Sequence, residues 1–335
     1  MRASRLTLAL EAGLLPLPPV GRIAVIRPRA GTDLAALPLE RVEVIQGFRP
    51  DHDAFAAQGY ATAVAPTGAY SAAVVFVPRA KAEARGLVAQ AAAAVAPGGP
   101  IAVDGQKTDG VDSLLRELRG RVSLSEALAK AHGKIAVFAN PGPAAFAGWA
   151  AEPHRLAEGF LVPPGGFSAD EVDPGSAALA TALPPRLPSR VADFGAGWGY
   201  LSAAVLKREG VEEVHLVEAG HAALEAARES IRDPRARFHW ADATRFKPDE
   251  RFGAVVMNPP FHTGRAADPG LGRAFIAAAA RALLPSGVLY LVANRHLPYE
   301  RTLAEQFREV AELPAPAAYK IYRASGPKAG PRAPR

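Results

Sequence analysis

The residues of this chain that point most directly to chemistry are Asp193-Phe194-Gly195-Ala196-Gly197-Trp198-Gly199, where a short apolar run gives way to an Ala/Leu-rich stretch. Glycines at such a junction let the backbone turn sharply and let a ligand approach it closely. A plain tight turn would also use them, so the loop alone is a weak signal. Two acids strengthen it. Glu218 ends the next apolar run, 25 residues after Asp193, where a carboxylate can hold ribose hydroxyls. Asp242, in Ala241-Asp242-Ala243, closes a third run and can accept from an adenine amino group. Asp193, Gly195, Ala196, Gly197, Glu218, Asp242 and Ala243 together suit a cofactor that carries adenosine. A fourth run ends on Asn258-Pro259-Pro260-Phe261 and opens toward the same edge, which adds Asn258 to the cofactor-binding candidates.

These residues need a scaffold that brings four run ends together. Arg190–Phe194, Val214–Glu218, Arg237–Trp240, Ala254–Met257 and Val288–Ala293 read as strands. Tyr200–Arg208, His221–Ile231 and Ala274–Leu284 read as helices between them. Regular alternation of this kind predicts an α/β fold with a mostly parallel sheet and helices on both faces. The apolar runs lack period-2 alternation, as strands buried on both sides do.

The first half repeats the pattern. Ala84–Ala96, Pro97-Gly98-Gly99, Ile101–Val103 and Thr108–Leu118 match Gly272–Leu284, Pro285-Ser286-Gly287, Leu289–Leu291 and His296–Gln306 at an offset of 188 residues. Val74-Val75-Phe76-Val77-Pro78 parallels Val255-Val256-Met257-Asn258-Pro259. Arg41–Val44 can be laid on Arg190–Asp193, but Gln46-Gly47-Phe48-Arg49 follows instead of a glycine loop. The expectation is two tandem Rossmann-like domains, 1–158 and 159–335, the first degenerate. The Pro- and Gly-dense stretch Gly159–Ser189 is expected to contain the linker.

Composition narrows the chemistry. With 335 residues and 49% hydrophobic content, two domains with real cores are possible. The absence of cysteine excludes disulfides, Cys-based zinc sites, iron–sulfur clusters and thiol nucleophiles. The histidines show no metal-ligand spacing and read as structural or surface groups, so no metal is expected. A net charge of +6 permits a nucleic-acid partner without requiring one. Lys320, Arg323, Lys328, Arg332 and Arg335, with no acid after Glu312, read as a solvated, frayed tail, with a phosphate contact as the alternative. No apolar run is long enough to span a membrane. Glu11 interrupts the one N-terminal stretch that could suggest a signal peptide, so a cytoplasmic protein is expected.

The Asn-Pro-Pro-aromatic turn resembles that of class I S-adenosylmethionine-dependent methyltransferases acting on planar exocyclic nitrogens. An aromatic amine is a poor nucleophile because its lone pair is delocalised. The Asn258 side-chain oxygen and the Pro259 carbonyl can accept its N–H bonds, hold the nitrogen in line and stabilise developing positive charge. Pro260 stiffens the turn, and Phe261 can stack on a base.

Pro163-Pro164-Gly165-Gly166-Phe167-Ser168, Asp173-Pro174-Gly175-Ser176, the glycine loop and Asn258 through Gly264 resemble, in that order, the 16S rRNA guanine-N2 methyltransferase family (the RsmC-like enzymes). So do Val75 through Lys81 and Asp104 through Val111 upstream. The resemblance runs from about Gly59 to Lys328. It implies methyl transfer from S-adenosylmethionine, without a metal, to the N2 amine of a guanine in 16S rRNA or the small ribosomal subunit, by a protein expected to be a monomer. It also implies a segment before the glycine loop that places Asp173 and Ser176 near the cofactor.

Phe194 and Trp198 are larger than the residues often found in such a loop. His262, Gly264 and Arg265 are candidates for a substrate loop. A general-base role for His262 is the lesser reading, because the methylated nitrogen is acidic enough to lose its proton to water. Arg265, Arg273 and Arg295 are expected on loops around the same edge, as phosphate contacts or as solvated surface. Alternatives are a large-subunit rRNA guanine-N2 enzyme, an adenine-N6 DNA enzyme, a glutamine-N5 protein enzyme, or a non-catalytic RNA-binding scaffold.

Overall fold

The computed structural model describes residues 3–150, 152–260 and 269–328. The chain divides into two compact units, Met1–Glu152 and Pro153–Arg335. The sequence expectation put this division at 158/159.

The first unit contains helices α1 (Arg5–Glu11), α2 (Arg49–Ala56), α3 (Lys81–Ala94) and α4 (Val111–Arg119). Its strands are β1 (Ile23–Ile26), β2 (Val42–Ile45), β3 (Ala61–Ala63), β4 (Ala72–Phe76), β5 (Pro100–Gln106), β6 (Leu128–Lys130) and β7 (Gly133–Ala139). They form one sheet in the order β3-β2-β1-β4-β5-β7-β6. The strands from β3 to β5 pair in parallel, and β7 runs antiparallel to both β5 and β6. Every residue of β1 and β2 is buried: β1 is wholly apolar, and the one charged residue of β2, Glu43, pairs with Arg22 and accepts from Tyr70.

The second unit opens with a short hairpin, β8 (His154–Arg155) and β9 (Leu161–Val162), and helix α5 (Pro174–Ala182). There follow β10 (Arg190–Phe194), α6 (Tyr200–Leu206), β11 (Glu213–Glu218), α7 (His221–Ser230), β12 (Ala236–Trp240) and β13 (Phe252–Met257). Then come α8 (Pro269–Ala282), β14 (Leu283–Asn294), α9 (Glu300–Gln306), β15 (Phe307–Leu313) and β16 (Tyr319–Pro327). The sheet order is β12-β11-β10-β13-β14-β16-β15. Position for position, this is the order of the first sheet, with the same antiparallel pair at the end. The expected mostly parallel α/β architecture, used twice, is what the chain adopts.

Three expectations change. The stretch Gly159–Ser189 packs as part of the second unit: Val162, Leu179, Leu183 and Leu187 are all buried. The cationic end of the chain is largely a strand. β16 lies between β14 and β15, with Ile321, Tyr322 and Ala324 buried, and Lys320 pairs with Glu300. Arg332 and Arg335 lie outside the described residues. Third, the repeat has a different register in its first part. Val25 pairs with Val74 as Asp193 pairs with Val256, and Ile26 pairs with Ile45 as Phe194 pairs with Val217. The counterpart of β10 is therefore β1, not the run at Arg41–Val44. Likewise Phe76, not Val77, stands where Asn258 stands.

This register explains why the first unit is degenerate. After β1, Arg27-Pro28-Arg29 occupies the place of Gly195-Ala196-Gly197. The turn is otherwise alike: Arg27 N donates to Ile45 O at 2.8 Å, and Gly195 N to Val217 O at 2.9 Å. Gln46 replaces Glu218, and the hydrogen bond reverses. Glu218 accepts from Gly197 N, whereas Gln46 Nε2 donates to Pro28 O at 2.6 Å.

Candidate active site

In a parallel sheet, all C-terminal strand ends lie on one edge, and the crevice forms where chain order reverses. Here the reversal falls between β10 and β13. Strand ends β12, β11, β10 and β13 are consecutive neighbours and lead into Asp242, Glu218, Asp193 and Asn258. At roughly 4.8 Å per strand, the row spans about 14 Å.

Asp193 is fully buried at the end of β10. Its Oδ2 accepts from Ser202 Oγ on α6 at 2.7 Å, while Oδ1 has no partner. Burial, with the Glu218 charge adding to it, pushes its carboxyl up to about 7. Nothing local in the sequence ties Ser202 to Asp193; only the docking of α6 on the strand does.

The glycine loop then turns with three left-handed residues, Gly195 (φ +75°), Gly197 (φ +56°) and Gly199 (φ +95°). Gly197 and Gly199 are glycines for different reasons. A Cβ on Gly197 would meet nothing within 4 Å, so the loop leaves open space there. A Cβ on Gly199 would lie 2.7 Å from Ile231 Cδ1, so that glycine admits close packing of α6.

Glu218 is half-buried. Its Oε2 accepts from Gly197 N at 2.8 Å and its Oε1 from Gly220 N at 2.6 Å. Burial raises its carboxyl, against the lowering effect of these backbone donors. Asp242 Oδ1 accepts from both the N and the Oγ of Thr244, at 2.8 and 2.7 Å. This shapes the turn after β12, and Ala243 is buried behind it.

Trp198 lines the cleft beside the loop. Its ring is buried against Phe160 and Tyr200, and its Nε1 donates to Phe167 O at 2.8 Å. It thereby ties the Pro163–Ser168 segment to the glycine loop. Phe194 is buried edge-on to Phe246. Phe167 is 57% exposed and lines the same cleft as Asp173, Ser176, Gly197 and Asn258. Sequence reasoning gave it no role. Its signal there is its place in the Pro163–Ser168 segment that carries the family resemblance.

Asn258 follows β13, and its amide is held from α5. Asn258 Nδ2 donates to Asp173 Oδ2 at 2.8 Å and to Ser176 Oγ at 2.9 Å. Asp173 also caps α5, accepting from Ser176 N at 2.7 Å, with Pro174 in the first turn. Pro259 is buried and Pro260 exposed. Phe261, His262, Gly264 and Arg265 lie outside the described residues.

Of the two remaining arginines, Arg273 is exposed on α8. The Arg295 guanidinium is committed to structure, donating to Ala317 O and Tyr319 O, each at 2.7 Å. Among the described residues, no cluster of three or more His, Asp or Glu side chains could hold a metal. The histidines include a stacked structural pair, His215 and His239, joined at 3.0 Å across β11 and β12.

A sheet of this order, with a glycine loop after its central strand, acids after the next two and Asn-Pro-Pro after the fourth, defines a class I methyltransferase. Residues 158–323 match the family model for the methyltransferase small domain. The ribosomal RNA small subunit methyltransferase C of Psychromonas ingrahamii is 30% identical over 71% of this chain and 70% of its own length. The chain belongs to that family. A structure of the T. thermophilus 16S rRNA N2 guanine methyltransferase (RsmC), in complex with AdoMet and guanosine, superposes with a TM-score of 0.76. It is 26% identical and covers 93% of this chain and 91% of that one. The ribosomal RNA large subunit methyltransferase G of Alcanivorax borkumensis is 34% identical, but over 49% of this chain. That alignment spans only 43% of the relative's own length.

Proposed function

We propose that this protein transfers a methyl group from S-adenosylmethionine to the exocyclic N2 amine of a guanine in 16S rRNA. The observation that carries this reading is the orientation of Asn258. Both N–H bonds of its amide are spent on Asp173 and Ser176, so the side-chain oxygen is what it has to present to a donor. A site built this way selects a substrate that donates N–H.

The chain fits the cofactor. The space in front of Gly197 admits a ligand against the backbone, and the unpartnered Asp193 Oδ1 is a buried acceptor behind the loop. Asp242 suits the adenine amino group, Glu218 the ribose hydroxyls, and the Asp193-to-Gly197 turn, with Ala196, the methionine part. Bound S-adenosylmethionine supplies an electrophilic methyl group on a positively charged sulfur.

The remaining work belongs to protein groups. Asn258 Oδ1 and the Pro259 carbonyl accept the two N–H bonds of the guanine amine. They fix its lone pair in one direction and stabilise the positive charge that develops on nitrogen. The proton released afterwards needs no dedicated base, because the methylated nitrogen is acidic. The base must leave its stack to reach the cleft, and exposed Phe167 offers it a face. His262, Gly264, Arg265 and Phe261 belong to this reading as the substrate loop and its stacking ring.

Some relatives of the small-subunit type support the rRNA assignment because their match extends over 71% to 76% of the chain, more than either unit holds, whereas the large-subunit relative matches 49% of it. The first unit then serves RNA binding or support of the second. All named site residues come from one chain, which a monomer satisfies, and the ribosomal substrate implies a cytoplasmic enzyme.

The test is tritiated methyl transfer to unmethylated 30S subunits, 50S subunits, free rRNA, DNA and release factors. Label should enter 16S rRNA as N2-methylguanine. Asn258→Ala should lower kcat by roughly 10²- to 10³-fold while keeping cofactor affinity. Label in 23S rRNA instead, or normal turnover by the Asn258 variant, would sink the reading.

A further inference from the structure

We infer that Asp173 is a positioning residue that sets which end of the Asn258 amide faces the substrate. This rests on the reading that Asn258 Oδ1 accepts the substrate amine. An asparagine amide has nearly the same shape either way round, so sterics alone cannot choose between its two orientations. Here chemistry chooses. Asp173 Oδ2 is an acceptor, so it requires Nδ2 on its side of the amide, and Ser176 Oγ accepts the other N–H. The same Asp173 oxygen accepts from Ser176 N, which fixes the carboxylate in place. The helix behind it is anchored in turn, since Leu179 and Leu183 are buried in the core shared with β10.

The consequence is specific. The oxygen that accepts from Ser176 N is also the one that accepts from Asn258 Nδ2, so Asp173→Asn keeps both bonds by placing its Oδ1 there and leaves the Asn258 amide as it was. Asp173→Ala removes that acceptor. Nothing then requires Nδ2 on that side, and the Ser176 hydroxyl can donate to a reversed Asn258 oxygen as readily as it accepted. In the reversed amide the nitrogen meets the substrate amine, donor against donor. A second substitution undoes this. When Asp173→Ala is combined with Asn258→Asp, the Ser176 hydroxyl donates to one carboxylate oxygen. The other is an acceptor for the substrate whichever way the group turns.

The experiment measures kcat on unmethylated 30S subunits, S-adenosylmethionine affinity by calorimetry, and melting temperature. The variants are Asp173→Ala, Asp173→Asn, Asn258→Asp, the double variant Asp173→Ala with Asn258→Asp, Ser176→Ala and Asn258→Ala. Asp173→Ala is expected to lose kcat at least about tenfold, with cofactor Kd within about twofold and melting lowered by the lost helix cap. Asp173→Asn, which keeps the acceptor, should stay within about threefold of the wild type. The double variant should recover most of the kcat lost in Asp173→Ala without recovering its melting temperature, although Asn258→Asp alone, which sets two carboxylates against each other, should lose activity. Ser176→Ala, which removes one of two acceptors, should lose less than Asp173→Ala.

Wild-type kcat in Asp173→Ala beside an inactive Asn258→Ala overturns the positioning role and leaves the proposed reaction standing. So does a loss in Asp173→Asn as large as that in Asp173→Ala, a double variant no better than either single one, or a loss confined to cofactor affinity. Full activity in Asn258→Ala overturns the reaction mechanism itself, and the positioning role with it.

Discussion

Asp193 illustrates how far one residue's meaning depends on burial. In sequence it is the acid that opens a glycine loop. In the fold it has no exposure, and its carboxyl is raised from the ordinary 3.8 to about 7. An acid whose folded pKa lies above its unfolded value favours folding most below the unfolded pKa. That contribution declines as pH rises from about 4 to about 7 and is gone above. Asp193→Asn should therefore raise the melting temperature of the cofactor-free protein at pH 8, leave it nearly unchanged at pH 4, and flatten the slope between. It should also weaken S-adenosylmethionine binding, because the buried acceptor becomes neutral. Melting curves over this pH range, with binding at pH 8, check both halves. A parallel pH profile for the variant and the wild type would contradict the burial argument.

The turn between β10 and α6 separates two uses of glycine. Gly197→Ala puts a methyl group into open space at φ +56°. It should cost on the order of 1–2 kcal/mol of left-handed strain and weaken cofactor binding by more than tenfold. Gly199→Ala drives its methyl into Ile231 at φ +95°. It should cost that strain plus about 1–3 kcal/mol of overpacking, seen as a lower denaturant midpoint. Equal stability losses in the two variants would contradict the distinction. The strand and helix alternation that delivers this turn was legible, because its strands carry apolar runs, such as Ala254–Met257 in β13, broken only by single residues such as Asp193 in β10 and His215 in β11. The antiparallel pair β15 and β16 was not. β15 is exposed along nearly its whole length, and β16 is spaced with Lys320 and Arg323, so neither carries an apolar run to read. Only pairing with β14 makes them sheet.

The two units share a strand order but not a site. Val25, Arg27, Arg29, Gln46 and Phe76 stand in the first where Asp193, Gly195, Gly197, Glu218 and Asn258 stand in the second. The first unit thus offers neither the buried acid of Asp193, nor the open loop at Gly197, nor the strand-end carboxylate of Glu218. Calorimetry should return one S-adenosylmethionine per chain, and the Gly197→Ala and Asp193→Asn variants should weaken that single event. Two binding events, or one that survives both substitutions unchanged, would place cofactor on the first unit.

By itself, the sequence determined the α/β class, the duplication, the acids at the strand ends and the Asn-Pro-Pro turn. These are local: each is written in the period of a buried strand or in the residues of one turn, and physics acts on them within a few positions. Tertiary structure alone decided the register of the repeat, since β1 rather than β2 is recognised as the central strand only by its neighbours. It also decided that Trp198 donates to the Phe167 carbonyl, that Ser202 supports Asp193, and that Asp173 faces Asn258 across 85 residues of chain. Such contacts leave no periodic trace in sequence. They exist because packing brings distant groups within hydrogen-bond reach, where a buried amide or carboxylate must find a partner.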